Sequence, residues 1–295
     1  VVRYYKRRGH VLDAEQLFLS ASTSESYSWL FKLLCDPGDV VIVPKPSYPL
    51  FPFLAQLDGV SLEHARLMRH DGWRLDIDSI RRRLAMQGPP VRAVVLVNPS
   101  NPCGSFVHPD DRHALIELAR EHDLALIVDE VFIDYRRDEV SPSSGGSFAG
   151  EDGALCFVMN GLSKVALLPQ LKLAWIACSG PVSRRDEALA RLEIIADSYL
   201  SVATPVQLAL NSILDGVDSK HQQLRQRIAQ NASAVDAAIE QVGASCPVRV
   251  IPSEGGWYAM IEVPRTRSDD EWVEHLIASE RLIVHPGHFF GVEEA

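Results

Sequence analysis

Two kinds of segment alternate along the chain: short apolar runs rich in β-branched residues, and longer stretches with apolar residues at helical spacing. The clearest short runs are Val40 to Val43, Ala93 to Val97, Leu124 to Val128, Ala154 to Met159 and Leu173 to Ala177. Polar residues, glycine or proline follow each run, as is typical of strand ends. The alternation predicts an α/β fold with a mostly parallel sheet sandwiched by helices.

Helical periodicity is clear in two segments of the first half. Apolar residues from Tyr27 to Leu34 recur every three or four positions, and this helix is expected to end at the breaker sequence Asp36-Pro37-Gly38-Asp39. The spacing predicts a second helix from His113 to His122. Both helices lie between predicted strands, as a parallel sheet requires.

The last third of the chain has a different pattern. A long helical region is predicted from about Asp186 to Leu214, followed by a second helix near Gln222 to Val242. Val248 to Ile251 and Trp257 to Val263 are predicted to be strands joined by turn residues. These elements are expected to form a smaller α+β domain.

The predicted division between the two domains falls near Asp215-Gly216. Residues 1–215 are expected to form the large domain, and residues 216–295 the small one. The large domain is expected to be truncated at its start, because the chain opens on Val1, without a methionine, inside a helical pattern, and the small domain is expected to be incomplete at its end, Ala295. The basic residues of this pattern, Arg3, Lys6, Arg7 and Arg8, are interpreted as a solvated helix face.

Composition and charge narrow the class of function. The formal net charge of -10 disfavours binding to nucleic acid or to an anionic membrane. No apolar run reaches the roughly 18 residues that would span a bilayer. The five cysteines are scattered and form no C-x-x-C pair, which favours a reduced, cytoplasmic protein, and the ten scattered histidines predict no metal site.

Polar segments follow the predicted strands, where open α/β sheets bind their ligands. They are Ser20 to Ser26, Pro46-Ser47-Tyr48-Pro49, Asn98-Pro99-Ser100-Asn101-Pro102, Asp129-Glu130 and Gly161-Leu162-Ser163-Lys164. In this order and at these separations, the set resembles the fold type I aminotransferases of class I and II over nearly the whole chain. Each segment alone is common, whereas the ordered set is specific.

The resemblance implies pyridoxal 5'-phosphate as the cofactor and amino transfer between an amino acid and a 2-oxo acid. It also implies a homodimer for the full-length protein, with each active site at the interface. Two other functions stay open. The same fold supports β-elimination lyases that cleave C–S bonds, because the carbanion formed from the substrate can also expel a leaving group. A non-catalytic relative is the third hypothesis.

Lys164 and Asp129 are the predicted catalytic residues. A lysine in partly desolvated surroundings after a strand has a lowered pKa and can attack an aldehyde; the resemblance implies that Lys164 forms the Schiff base with the cofactor and then moves the substrate proton. A buried carboxylate at a strand end needs a cationic partner. The resemblance implies that Asp129 pairs with the protonated pyridine nitrogen.

Six further residues are predicted to bind the cofactor. Thr23 and Ser24 open a helix whose amides and dipole attract a phosphate. By resemblance, Tyr48 stacks on the pyridine ring and Asn101 contacts the ring oxygen. Ser163 and Lys172 complete the set.

The chain departs from the family pattern around the predicted cofactor. Phe132 stands where many relatives have a tyrosine that bonds the ring oxygen, so the pKa of the Schiff base should rise unless another donor substitutes. Gly161 replaces a serine, and Lys172 replaces an arginine that would contact phosphate through two parallel hydrogen bonds. The family arginine that holds the substrate carboxylate is expected to lie beyond Ala295.

Overall fold

The computed structural model describes residues 1–137, 145–243 and 247–292. The strands of these ranges are β1 (Leu17–Ser20), β2 (Val40–Lys45), β3 (Ser61–Met68), β4 (Arg74–Leu75), β5 (Val91–Val97), β6 (Ala125–Asp129), β7 (Leu155–Gly161), β8 (Ala174–Ser179), β9 (Arg249–Ile251) and β10 (Met260–Glu262). The helices are α1 (Val2–Arg7), α2 (Thr23–Leu34), α3 (Phe51–Leu57), α4 (Ile77–Leu84), α5 (Pro109–Glu121), α6 (Leu162–Val165), α7 (Val182–Tyr199), α8 (Thr204–Asp215), α9 (Val217–Val242) and α10 (Asp269–Glu280).

The large sheet has the strand order β1-β8-β7-β6-β5-β2-β3-β4. Five neighbouring strands, from β3 through β2, β5 and β6 to β7, run parallel, whereas β8, β1 and β4 pair antiparallel with their neighbours. The predicted mostly parallel α/β sheet is therefore confirmed. The antiparallel β8 brings its first residue, Ala174, beside Gly161 at the end of β7 and Ser20 at the end of β1.

The core consists of two apolar layers, one on each face of this sheet. Successive residues of β5 alternate between them: Val94 and Leu96 face α1, α5 and α8, whereas Val95 and Val97 face α2, α3 and α7. Because both faces are covered, the central strands are apolar throughout, which is why they stand out in the sequence.

Three strands and one helix break were not predicted. β1 is only four residues long, β4 only two, and the apolar pattern of β3 is interrupted by polar residues such as Glu63 and Arg66. The helix predicted from Asp186 to Leu214 is two helices, α7 and α8. The first helix ends before Leu200, which has a φ of 66°, and α8 has Pro205 in its first turn, where the missing amide is tolerated.

The N-terminal basic residues are only partly a solvated face. Arg8 is half-buried, lies over the Tyr4 ring at 3.7 Å, and forms a 2.7 Å ion pair with Asp134. Arg7 pairs with Asp215 at 3.0 Å. The solvated-face prediction is therefore wrong for Arg8, which ties α1 to the segment after β6.

The C-terminal strands are shorter than predicted: β9 and β10 form a separate two-stranded antiparallel sheet. The junction of α8 and α9 falls at Gly216, which is where the domain division was placed, and that division stays a prediction. In the ranges that the structure describes, no helix is both long and apolar enough to cross a membrane.

Candidate active site

The predicted catalytic residues lie together at the edge where the parallel strands end. Asp129 is the last residue of β6, in register with Val97 of β5 and Met159 of β7. Lys164 lies in α6, which begins directly after β7. The two side chains are close enough for the Asp129 charge to affect the pKa of Lys164.

Asp129 is buried, with 6% of its surface exposed. Its Oδ1 accepts a hydrogen bond from the Val131 amide at 3.1 Å, and its Oδ2 accepts one from the Tyr27 hydroxyl at 3.3 Å. Burial raises the pKa of this carboxyl to about 6, although both donors and the Lys164 charge oppose the rise. A cationic group bound against Asp129 would therefore stabilise its ionised form.

The Lys164 side chain emerges from a backbone turn that is held from several directions. The Leu162 amide donates to the Leu173 carbonyl at 2.9 Å, and the Tyr135 hydroxyl donates to the Lys164 carbonyl at 2.5 Å. The His221 ring, from α9, hydrogen-bonds to the Val165 carbonyl. The turn is therefore tied to β8, to the segment after β6 and to α9.

The Lys164 ammonium lies in partly apolar surroundings. Its Nζ is 4.9 Å from the centre of the Trp257 ring and 5.7 Å from that of Phe132. Desolvation lowers the pKa of Lys164, whereas the Asp129 charge raises it. The lowered pKa increases the fraction of neutral amine, which is the nucleophilic form.

Buried polar atoms without partners lie in the Tyr48 and Asn101 segments. In the described ranges, Asn101 Oδ1 and the hydroxyls of Ser47 and Ser100 have no hydrogen-bond partner. Tyr48 is half-buried, and the Asp129 charge adds to burial in raising its pKa. Unsatisfied buried polar groups are rare in native proteins, so these atoms fit a site that receives a polar ligand.

Helix α2 begins at the same edge of the sheet. Ser22 caps it by accepting a hydrogen bond from the Glu25 amide at 3.2 Å, and Glu25 Oε2 accepts one from the Ala21 amide at 2.6 Å. The amides of Thr23 and Ser24 occupy the first turn, where a helix provides no backbone acceptor. These two amides suit an anion such as a phosphate.

The two remaining predicted residues differ in position. Ser163 is half-buried in the Lys164 turn, whereas Lys172 is exposed. Lys172 has a φ of 50° and directly precedes Leu173, whose carbonyl is bonded to the turn. Among the described residues, no hydrogen bond or ion pair joins Lys172 to the other predicted site residues.

Gly161 has a structural reason for lacking a side chain. A Cβ at this position would lie 2.9 Å from Ala174 Cβ and 3.0 Å from Ala174 Cα, because β7 and β8 approach closely there. A serine would require the two strands to move apart. The departure from the family pattern at Gly161 thus accompanies a tight strand pair beside the Lys164 turn.

Sequence analysis did not single out three aromatic residues of the site. Tyr27 was interpreted only as a core residue of its helix, and Trp257 and Tyr258 only as the start of a strand. In the structure, Tyr27 bonds to Asp129, Trp257 packs against Lys164, and the Asn101 side chain is close enough to Tyr258 to oppose the rise in the Tyr258 pKa that burial causes. Tyr258 also contacts the Phe132 ring edge-on, with centroids 5.4 Å apart.

A backbone contact brings the last two of these aromatics to the site. The Glu254 amide donates to the Gly104 carbonyl at 3.0 Å, and the Gly256 amide donates to the Tyr135 carbonyl at 2.9 Å. Gly255 approaches so closely that an added Cβ would lie 3.0 Å from the Pro99 ring. The Gly255-Gly256 pair was the available sequence signal, because such pairs mark close backbone approach.

The arrangement combines an amine of lowered pKa, a buried carboxylate, unsatisfied polar atoms and a helix N-terminus. It suits a ligand with an electrophilic carbon, a basic ring nitrogen and a phosphate. In the part of the chain that the structure describes, no group of three or more His, Cys, Asp or Glu residues is arranged to hold a metal ion.

Comparisons with known proteins agree with this chemistry. Alanine aminotransferase of Mycobacterium tuberculosis H37Rv is 27% identical over 285 residues, covering 94% of this chain and 64% of the relative. Glutamate-pyruvate aminotransferase AlaA of Escherichia coli K12 is 27% identical over 220 residues, covering 74% of this chain and 53% of the relative. The chain thus spans less than two thirds of the length of these relatives.

The fold and the whole sequence also match known aminotransferases. The structure of an alanine aminotransferase from Pyrococcus furiosus aligns with a TM-score of 0.83 at 23% identity, covering 99% of this chain and 72% of that one. The family model for aminotransferase class I and II matches residues 1–295. The resemblance drawn from the ordered motifs is confirmed, and the chain belongs to the aminotransferase class I and II family.

Proposed function

We propose that this protein is a pyridoxal 5'-phosphate-dependent aminotransferase that moves an amino group between an amino acid and a 2-oxo acid. The observation that carries the proposal is that Lys164, directly after β7, and the buried carboxyl of Asp129, at the end of the neighbouring β6, lie at the same edge of the sheet. Family membership supports the same chemistry. The named relatives make alanine and glutamate the amino donors to test first.

When bound, pyridoxal phosphate supplies an aldehyde and a conjugated ring that accepts electrons. Lys164 Nζ would hold the cofactor through its aldehyde carbon, and the same amine would move the proton at the substrate α-carbon. Asp129 would hold the proton on the ring nitrogen. Its hydrogen bond from Tyr27 keeps the carboxylate oriented.

Six other residues are proposed to hold the cofactor. The amides of Thr23 and Ser24 bind its phosphate, with Ser163 and Lys172 adding a hydroxyl and a positive charge. Tyr48 packs against the ring, and the Asn101 amide bonds to the ring oxygen. The unpartnered polar atoms of this region support such a ligand.

Tyr258 is proposed to supply the hydroxyl that Phe132 lacks. Its ring packs against Phe132, with centroids 5.4 Å apart, and Asn101, the residue proposed to contact the ring oxygen, is close enough to affect the Tyr258 pKa. A donor at the ring oxygen stabilises the deprotonated form of the lysine–cofactor linkage. Tyr258 would thereby compensate for the departure at Phe132.

Replacing Tyr258 with phenylalanine should therefore raise the pH at which the visible absorbance of the cofactor-loaded protein changes. The expected rise is about one pKa unit, because one hydrogen bond contributes roughly 1 kcal/mol or somewhat more. Spectrophotometric pH titration measures it. Tyr199→Phe, on the partly exposed α7 tyrosine, is the matched control, and an unshifted Tyr258→Phe midpoint would refute this role.

Covalent labelling tests the proposed function directly. The protein is incubated with pyridoxal phosphate, reduced with borohydride and digested, and the modified lysine is identified by mass spectrometry. We expect the label on Lys164 and amino transfer from L-alanine to 2-oxoglutarate. A β-elimination lyase would instead release pyruvate from a sulfur amino acid without any acceptor, and a non-catalytic relative would show no label.

We further propose that the full-length protein is a cytoplasmic homodimer. The free thiols of Cys35, Cys103, Cys156 and Cys178 suit a reducing compartment. On α3, Phe53 and Leu57 lie four positions apart and are 62% and 83% exposed, which suits a surface covered by a second subunit. Light scattering on the full-length protein would give its mass, and a monomer would contradict the assembly.

A further inference from the structure

A cavity that the proposed function does not use lies beside Tyr135. Its volume is about 130 Å³, and it lies between the segment 135–137, helix α9 and Gly256. Three arginines line it: Arg136 and Arg137 from the segment after β6, and Arg225 from α9. Cationic lining is unexpected in a chain whose net charge is -10.

The Arg137 guanidinium has few protein partners. Its Nε is buried and has no hydrogen-bond acceptor among the described residues. Its Nη2 reaches the Tyr258 carbonyl at only 3.4 Å, near the limit for a hydrogen bond. Because a buried donor without an acceptor costs about 1–3 kcal/mol, this side chain favours a ligand that supplies acceptors.

The charges around the cavity favour an anion. Arg225 donates to the Asp134 carbonyl at 3.2 Å through Nη1, which leaves four of its five N–H groups for another acceptor. The neighbouring Arg136 is engaged elsewhere, with the Gly145 carbonyl and over the Phe106 ring at 3.8 Å. Asp236 also lines the cavity, but within the described ranges it forms no ion pair with Arg137 or Arg225.

We propose that this cavity is a binding site for a small oxyanion, a phosphate or a carboxylate, held between Arg137 and Arg225. Guanidinium groups match the two oxygens of a carboxylate or phosphate with parallel hydrogen bonds. The volume equals that of about four water molecules at roughly 30 Å³ each, which is enough for such a group.

The oxyanion site is separate from the Lys164 site but is connected to it. Tyr135 lines the cavity, and its hydroxyl bonds to the Lys164 carbonyl. The Arg137 amide donates to the Glu254 carbonyl at 2.9 Å, in the segment that leads to Trp257 and Tyr258. A bound oxyanion would therefore join α9 to both segments that support the site.

Calorimetric titration with inorganic phosphate, and separately with succinate, tests the oxyanion site. Whichever anion binds, Arg137→Gln and Arg225→Gln should each weaken its binding at least tenfold, which corresponds to about 1.4 kcal/mol or more. Arg227→Gln changes an exposed arginine of the same helix and should bind like the parent. Circular dichroism without ligand checks that each variant folds. If Arg137→Gln does not fold, Arg225→Gln alone tests the proposal.

The outcomes separate the two anions and the two sites. Phosphate binding that depends on both arginines identifies a phosphate site, and succinate binding with that dependence identifies a carboxylate site. Phosphate held at the N-terminus of α2 would survive both substitutions, so binding unchanged in Arg137→Gln and Arg225→Gln overturns the proposal. Absence of binding at millimolar concentrations overturns it as well. These calorimetric results do not depend on the labelling of Lys164, so they are distinguishable from the test of the proposed function.

Discussion

Lys164→Ala is expected to abolish covalent attachment of pyridoxal phosphate and to lower the rate of amino transfer by about 10³-fold or more. The methyl group cannot attack the aldehyde, and positioned proton transfer alone contributes about 10²–10⁴-fold. The fold should persist, because the hydrogen bonds that hold the turn use its backbone and not the Lys164 side chain. Borohydride labelling, the transfer rate and the unfolding midpoint measure the three effects.

Lys220→Ala is the matched control for this experiment. Lys220 is exposed on α9, so its loss should leave both the label and the rate unchanged. Transamination by Lys164→Ala at the parental rate would show that another residue performs the chemistry. Rescue of the variant by a small primary amine would support proton transfer by the missing Nζ.

Asp129→Asn is expected to have opposite effects on the reaction and on the stability of the cofactor-free protein. The reaction should slow by about 10²–10³-fold, the range for loss of one preorganised electrostatic contact. The free energy of unfolding at pH 8 should rise by about 1–3 kcal/mol. An ionised carboxyl whose pKa is about 6 instead of 3.8 disfavours the folded state by up to roughly 3 kcal/mol, and asparagine does not ionise.

The pH dependence of this stability difference follows from the direction of the Asp129 pKa. Below the ordinary value of 3.8 the carboxyl is protonated in both states, so parent and variant should differ little. The difference should grow as the pH rises from about 4 to about 6 and stay constant above that. Glu130, whose pKa is raised to about 7 by burial, is present in both proteins and does not affect the comparison.

Urea unfolding of both cofactor-free proteins at pH 4, 6 and 8 measures this difference. Asp152→Asn changes an exposed carboxyl and serves as the control, which should not alter the stability in this way. A variant less stable than the parent at pH 8 would mean that Asp129 is compensated within the cofactor-free protein. An unchanged reaction rate would exclude its role at the ring nitrogen.

The parallel part of the sheet could be predicted because its strands are apolar on both faces. Ala93 to Val97 and Leu124 to Val128 are continuous apolar runs between helices, and such runs have few other interpretations. β3 was missed because it lies next to the edge strand β4, where polar side chains such as Glu63 reach solvent. The direction of β8 could not be predicted, since an apolar run does not reveal which way its strand pairs.

Part of the candidate site could likewise be predicted from the sequence, and part could not. Asp129 and Lys164 could be predicted from their positions after apolar strands, since chain order places them at the sheet edge. Trp257 and Tyr258 reach that edge only because the Glu254 and Gly256 amides bond to carbonyls of the large sheet's loops. That contact joins parts of the chain far apart in sequence; the Gly255-Gly256 pair indicates a close backbone approach but does not identify its partner.

The backbone bonds of the Lys164 turn have a consequence for the motion of this residue. Tyr135 and His221 hold consecutive carbonyls from two different elements, while Leu173 holds the start of the turn. The main chain is therefore a fixed pivot, and the amine can travel only by rotation about the bonds of its own side chain. When the Lys164 amine releases a bound group and later binds it again, it therefore returns to the same position without any rearrangement of the sheet.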